Sequence, residues 1–261
     1  MNSRPHRSAP RWPLLALLLL GALGLACSQG SGGGETSSAT TRPAEVGDGS
    51  SDEGTTPAEP PTEPITVVVL GSSTAFGIGP TDIDQSWVSS YSAWLELERP
   101  GSTVVNLAVP GFQTASILPS QPDHPQADPD HNIDAALETD PDVLLINMPS
   151  NDIVAGVTPE EQLANTRLVV DQAEEAGASV WVTTAQPRNL DEASQREQRR
   201  IVDLTFDEFG DRTLDFWTDL ADADGAIDAA YDSGDGVHLN DAGHALLVER
   251  VIDAGPLDRA E

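Results

Sequence analysis

Ile65-Thr66-Val67-Val68-Val69-Leu70 runs directly into Gly71-Ser72-Ser73-Thr74-Ala75-Phe76-Gly77. The first six residues carry no charge and all but Leu70 are β-branched, which is the pattern of a strand buried on both faces. Gly71 marks its end, and a small polar turn follows. Four further runs read the same way, at 103–107, 142–148, 179–184 and 213–217. Helical spacing fills the gaps. Segment 85–98 places Trp87, Val88, Tyr91, Trp94 and Leu95 on one side. Segment 159–176 starts with Thr158 as cap and Pro159 at the first position, and stops at Gly177. Segment 191–209 carries Ile201, Leu204, Thr205 and Phe209; segment 240–254 opens on Asn240 and carries Ala245, Leu246, Val248, Val251 and Ile252. Doubly buried strands alternating with helices predict an α/β fold, a parallel sheet covered by helices. In such folds ligands bind in the loops beyond the carboxyl ends of the strands.

The chemically unusual residues fall in those loops. The first strand ends in Gly71-Ser72-Ser73, the second in Asn106-Leu107-Ala108-Val109-Pro110-Gly111, and the third in Pro149-Ser150-Asn151-Asp152. Asp235-Gly236-Val237-His238 precedes the last helix. A serine hydroxyl needs an adjacent base to act as a nucleophile, and histidine titrates near neutrality. An aspartate fixes the imidazole's tautomer and stabilises its cation. Backbone N–H groups at Ser73 and Gly111 and the amide of Asn151 are candidate donors to a developing oxyanion; at Gly111 the missing Cβ would allow close backbone approach. Each motif alone has a plainer reading. Gly-Ser-Ser can be a simple turn or a phosphate cradle, Asp-x-x-His a turn into a cap, and Asn151 an Asx-turn residue. Their order and shared rim favour the chemical reading.

With these blocks in this order, residues 65–253 resemble the SGNH/GDSL hydrolases. Gly71-Ser72-Ser73 stands where the family has Gly-Asp-Ser, Gly111 where it has its second-block glycine, Asn151 in its Gly-x-Asn-Asp block, and Asp235 and His238 in its Asp-x-x-His block. The resemblance implies a flavodoxin-like three-layer α/β/α sandwich with a five-stranded parallel sheet. It implies Ser73, Asp235 and His238 as catalytic triad, and Ser73, Gly111 and Asn151 as oxyanion hole, with no metal or cofactor. Family members deacylate sugars, lipids, thioesters and small esters. Two departures stand out. Ser72 replaces an aspartate outside the triad, and Pro149 replaces a glycine, which stiffens that loop. The pattern resembles a GSST-type subgroup of exported bacterial hydrolases.

The chain has 261 residues, 38% of them hydrophobic, enough for one core. It holds 43 acidic residues against 13 basic ones, all arginine, for a net charge of −30. Such a surface repels nucleic acid and anionic lipid, which also argues against a phospholipase. The single cysteine, Cys27, excludes an intrachain disulfide. Arg4, Arg7 and Arg11 precede an apolar run at 14–26, and Leu23-Gly24-Leu25-Ala26-Cys27 resembles a bacterial lipobox. We therefore expect residues 1–27 to be a lipoprotein signal peptide and Cys27 to be lipidated. Residues 28–64, rich in Gly, Ser, Thr, Pro and Glu, would be a disordered tether, and 65–261 the hydrolase domain. This describes an exported protein lipid-anchored to the cell envelope, the alternative being a soluble secreted one.

Several residues keep two readings. Segment 121–132 holds Asp123, His124, Asp128, Asp130 and His131, either a cation site or a polar rim loop; the loop is favoured, with His131 a rim candidate. Arg188, after the fourth strand, could hold a substrate carboxylate or carbonyl, or pair with a nearby acid. His244 is expected at the surface or in packing, and Trp87 and Trp94 in the core. The function expected is a serine esterase acting on a carboxylic ester, such as an acetylated carbohydrate or another small acyl ester. The rivals are a non-catalytic ligand-binding lipoprotein and an acyltransferase using the same triad. Oligomeric state is not set by the sequence.

Overall fold

The computed structural model describes residues 63–148 and 150–256. Cys27 with its leader, the tether as far as residue 62, and Pro149 lie outside them. In chain order the elements are β1 (Thr66–Gly71), α1 (Ser73–Phe76), α2 (Trp87–Glu98), β2 (Thr103–Asn106), α3 (Ile133–Leu137), β3 (Val143–Asn147), α4 (Asn151–Val154), α5 (Pro159–Glu175), β4 (Ser179–Thr183), α6 (Glu192–Phe209), β5 (Thr213–Leu214) and α7 (Asp241–Ala254). The strands form one sheet in the order β2-β1-β3-β4-β5, every pair parallel.

Strand alternation explains the three layers. Val68, Leu70, Leu144, Ile146, Val180 and Val182 point to one face, where Ile133 of α3, Leu163 and Val169 of α5, and Ile201 and Phe209 of α6 cover them. Val67, Val69, Val143, Leu145 and Trp181 point to the other, under Trp87, Tyr91 and Leu95 of α2 and Leu247 and Val251 of α7. Each fully buried Val, Leu or Ile stabilises by about 1.5–3 kcal/mol, so the runs without polar alternation in β1 and β3 form the rigid centre. The covering helices start where capping side chains dictate. Thr158 Oγ1 accepts from Glu161 N–H at 3.2 Å, Asp191 Oδ1 from Ser194 N–H at 2.9 Å, and Asn240 Oδ1 from Ala242 and Gly243 N–H at 3.0 and 3.1 Å.

The structure departs from the expected elements at the edges. β2 is an edge strand with its ends exposed, not buried on both faces. β5 shrinks to two residues because Asp215 Oδ1 accepts from the N–H groups of Trp217 and Thr218, 2.9 Å each, and turns the chain away. α2 begins after Ser86, whose hydroxyl accepts from Ser89 N–H at 3.2 Å. The one-turn helices α1 and α4 have no periodic apolar pattern to announce them.

The strand order has a functional consequence. From β1 the chain passes outward to β2, whereas β3, β4 and β5 build in the opposite direction. The loops after β1 and β3 therefore diverge, leaving a crevice at their carboxyl ends. Ser73 and Asn151 begin the short helices that follow these two strands.

Candidate active site

The turn from β1 into α1 is tight. A Cβ on Gly71 would lie 2.6 Å from Ala75 Cβ and 3.0 Å from the Asn147 carbonyl oxygen, so only glycine lets the chain turn here. Ser73 takes the first position of α1, where an N–H has no intrahelical acceptor, and its residue surface is 9% exposed. Its hydroxyl lies 3.0 Å from His238 Nε2, and His238 Nδ1 lies 2.7 Å from Asp235 Oδ2. The three predicted residues thus form one hydrogen-bonded chain across 165 residues of sequence.

Asp235 and His238 sit in a loop that is shaped mostly by its own backbone. Asp232 and Leu239 form an antiparallel bridge, and Ser233 N–H donates to the His238 carbonyl at 3.0 Å. Asp235 Oδ1 accepts from the N–H groups of Val237 and His238, both at 2.8 Å, leaving Oδ2 for the imidazole. Partial burial would raise the Asp235 pKa, but the hydrogen bonds from His238 and Val237 outweigh it and hold the carboxyl at about 2. A carboxylate can only accept, so Nδ1 must carry the proton and Nε2 presents its lone pair to Ser73.

The other predicted donors come from two separate loops. Gly111 N–H donates to Ser72 Oγ at 3.1 Å, and Asn151 Nδ2 to the same oxygen at 2.9 Å and to the Phe112 carbonyl at 3.0 Å. Gly111 sits at a φ of +88°, a conformation that favours glycine, and a Cβ there would meet no protein atom within 4 Å, so the protein's own packing does not require the missing side chain. The loop behind it is fixed by Asp152, which is 1% exposed. Its carboxyl oxygens accept from Thr114 N–H at 3.1 Å and its Oδ1 from Thr114 Oγ1 at 2.5 Å, while Asn165 Nδ2 donates to that hydroxyl at 3.0 Å. Burial raises the Asp152 pKa, and the Thr114 bonds oppose it.

A serine–histidine–aspartate chain beside convergent donors suits acyl transfer. The sequence pattern of the GDSL-like Lipase/Acylhydrolase family matches residues 69–246. The chain belongs to that family. It is a hydrolase of ester bonds. Similar solved structures include a G-D-S-L family protein from Desulfitobacterium hafniense, 19% identical, covering 73% of this chain and 99% of that one at a TM-score of 0.59. A psychrotrophic esterase from Pseudoalteromonas is 18% identical over 73% of this chain and 96% of its own, TM-score 0.55. An acetyl xylan esterase is 15% identical over 73% and 99%, TM-score 0.54. At these identities the likeness carries the fold. A search of curated proteins returns no match.

The remaining candidates separate. Arg188 is at the site: its guanidinium donates to Asn151 Oδ1 at 3.3 Å. His131 reaches no catalytic side chain among the described residues; its ring is edge-on to Phe112 with centroids 6.2 Å apart and its Nδ1 lies 3.1 Å from Asp128 Oδ1. Among the described residues no group of three or more His, Cys, Asp or Glu is placed to hold a metal, the 121–132 loop included. Trp87 is fully buried and Trp94 packs against the same core while stacking on Tyr91, centroids 5.5 Å apart.

Other supporting residues escaped the sequence reading. Ser72, the departure from the family's aspartate, is the acceptor on which Gly111 and Asn151 converge. Gly79, at φ +123°, crosses the histidine loop so closely that a Cβ would lie 2.0 Å from the Leu239 carbonyl oxygen. Thr81 N–H and Oγ1 donate to the two Asp241 oxygens at 2.7 and 2.9 Å, stitching the loop beyond α1 to the start of α7. His244, by contrast, is expected at the surface or in packing and proves to be a packing histidine, fully buried, with Nδ1 accepting from Trp87 N–H at 3.1 Å.

Proposed function

We propose that the chain is a serine esterase cleaving a carboxylic ester, an acetylated carbohydrate or another small acyl ester, through Ser73, His238 and Asp235. The observation that carries this is the unbroken run Asp235 Oδ2, His238 Nδ1, His238 Nε2, Ser73 Oγ at 2.7 and 3.0 Å. His238 takes the Ser73 proton as Oγ attacks the ester carbonyl, and the ionised Asp235 stabilises the imidazolium. The Ser73 and Gly111 N–H groups and the Asn151 amide serve the oxyanion. Both Asn151 hydrogens and the Gly111 hydrogen already have acceptors, so the oxyanion shares them with Ser72 Oγ and the Phe112 carbonyl. His238 then protonates the leaving alcohol, and a water activated by the same imidazole releases the acid. The acetyl xylan esterase among the structural relatives is compatible with acetylated sugar as substrate.

The purified chain should hydrolyse 4-nitrophenyl acetate and butyrate and be labelled by a fluorophosphonate. Ser73→Ala should lose both while keeping its circular dichroism and melting temperature. Esterase activity equal to wild type in Ser73→Ala would reject the nucleophile. We further propose export and lipid anchoring through Cys27, a reading supported by residues 1–27 alone. Cells fed radiolabelled fatty acid should label the wild type and not Cys27→Ala; equal labelling of the two would remove Cys27 from that role.

A further inference from the structure

The arginine beside the oxyanion donors is held too firmly, and paired too little, to be a surface solubiliser. Its backbone carbonyl accepts from Gln195 Nε2 of α6 at 2.6 Å. The next residue donates its N–H to the Gly236 carbonyl of the histidine loop at 2.8 Å, and Asn189 Oδ1 accepts from Ile227 N–H at 3.1 Å. Arg188 is therefore fixed between α6 and the loop that carries Asp235 and His238. Its guanidinium spends one N–H on Asn151 Oδ1, a neutral oxygen, at 3.3 Å.

The surrounding charge makes this unusual. The chain carries 43 acidic residues. Among the described residues Arg167, Arg196, Arg200, Arg212 and Arg250 each pair with a carboxylate, and Arg99 and Arg199 instead donate to the backbone carbonyls of Glu63 and Asp224. Arg188, half-buried, has no carboxylate within 4.0 Å among the described residues. Burial pushes its pKa down and the more distant Asp235 pushes it up, the burial effect being the larger. A partly desolvated cation without a counter-ion is unfavourable, and a guanidinium has a donor fork that fits a carboxylate in two-point fashion.

We infer that Arg188 binds a carboxylate on the substrate, so that the preferred ester carries an anionic carboxyl group close to the scissile bond. This rests on the esterase reading above. The carboxylate has two possible sources, the acyl part, as in the half-ester of a dicarboxylic acid, or the alcohol part, as in an O-acetylated uronic acid. The −30 charge of the chain opposes the approach of such a substrate from a distance, and salt screens that repulsion. Once docked, the substrate is governed by the local guanidinium.

The test compares kcat/KM of the full-length wild type, Arg188→Gln and Arg188→Lys on matched pairs at one fixed ionic strength. Mono-4-nitrophenyl succinate against 4-nitrophenyl butyrate varies the acyl side; O-acetylated methyl galacturonate against O-acetylated methyl galactose varies the alcohol side. Wild type should prefer the carboxylated member of one pair. Arg188→Gln should lose that preference by about 30-fold, mainly through KM, with Lys restoring part of it. The neutral esters should lose less, through kcat, because Asn151 loses its anchor. An identical carboxylated-to-neutral ratio in wild type and Arg188→Gln would overturn the carboxylate assignment while leaving the esterase reading in place. A wild-type preference for the neutral member of both pairs would do the same. No turnover of any ester, with wild type and Ser73→Ala alike, would overturn both readings.

Discussion

The two sides of Ser73 are held by different kinds of structure. On the base side, Asp235 and His238 belong to one short loop, and the hydrogen bonds that orient them span two or three residues of backbone. On the donor side, Gly111 and Asn151 come from loops after different strands, and what aligns them is side chains from far away: Ser72, Arg188, and Asp152 through Thr114. A local backbone-built arrangement survives most substitutions around it, and fails only when an atom of the relay changes. An assembly of distant side chains loses its alignment by degrees. The base side should therefore show all-or-none behaviour in kcat, and the donor side graded losses.

The largest expected effect breaks the relay without touching the fold. In Asp235→Asn, the oxygen has to stay where the Val237 and His238 N–H groups donate, at 2.8 Å each. That places the new NH₂ against Nδ1, which must then accept. The proton moves to Nε2, the wrong tautomer for removing a proton from Ser73. We expect kcat to fall on the order of 10³–10⁴-fold, with the melting temperature unchanged. A loss smaller than about tenfold would mean that the loop reorients freely, and the contrast between the two sides would fail.

A smaller loss is expected on the donor side. Ser72→Ala removes the oxygen shared by Gly111 N–H and Asn151 Nδ2, but Phe112 and Arg188 still hold the amide. Deleting an oxyanion donor outright costs about 10²–10³ in rate, so removing only its support should cost about tenfold in kcat with KM little changed. The rate of fluorophosphonate labelling should fall in step. An increase in kcat would show that the Ser72 hydroxyl obstructs the donors and does not align them.

The same division explains what could be read before the structure. β1, β3 and β4 were legible because burial on both faces leaves no polar residue in Val67–Leu70 or Leu144–Ile146, and the order of the four blocks pointed to Ser73, Gly111, Asn151, Asp235 and His238. β5 was overread because Phe216 and Trp217 look like strand residues, whereas the Asp215 turn sends Phe216 edge-on against Trp87. Of the supports of the donor side, Arg188 was marked by its place after the fourth strand, but its partner, and the roles of Ser72 and Thr114, left no local trace. Ser72 meets partners 39 and 79 residues away, Arg188 meets Asn151 across 37, and Thr114 meets Asp152 across 38. A hydroxyl or guanidinium gives no periodicity, so only tertiary geometry reveals what it holds. Gly79 carries the weakest such signal, a glycine whose reason is a backbone crossing near Leu239.

The smallest expected effect concerns stability and tests whether the base side depends on anything beyond its loop. His244 lies under the start of α2, fully buried, with Nδ1 accepting from Trp87 N–H. Burial, the larger cause, lowers its pKa to about 4, so the folded state keeps it neutral where the unfolded chain, near 6.5, takes a proton. A depressed histidine pKa contributes stability that is fully present above about 6.5 and declines as the pH falls towards about 4. Asp235, held at about 2 against an ordinary 3.8, is ionised in both folded and unfolded chains between pH 7 and pH 5 and adds almost no slope there; its own stability contribution is lost only at lower pH. Urea unfolding should therefore give a stability about 2 kcal/mol lower at pH 5 than at pH 7. In His244→Gln, which can still accept from Trp87 but cannot titrate, the difference should largely vanish. If both proteins lose the same amount, the acid sensitivity belongs to other groups, and the histidine loop is as self-contained as its backbone bonds imply. If only the wild type loses it, α7 and the entry to α2 form an acid-sensitive hinge behind a relay whose carboxylate is still ionised.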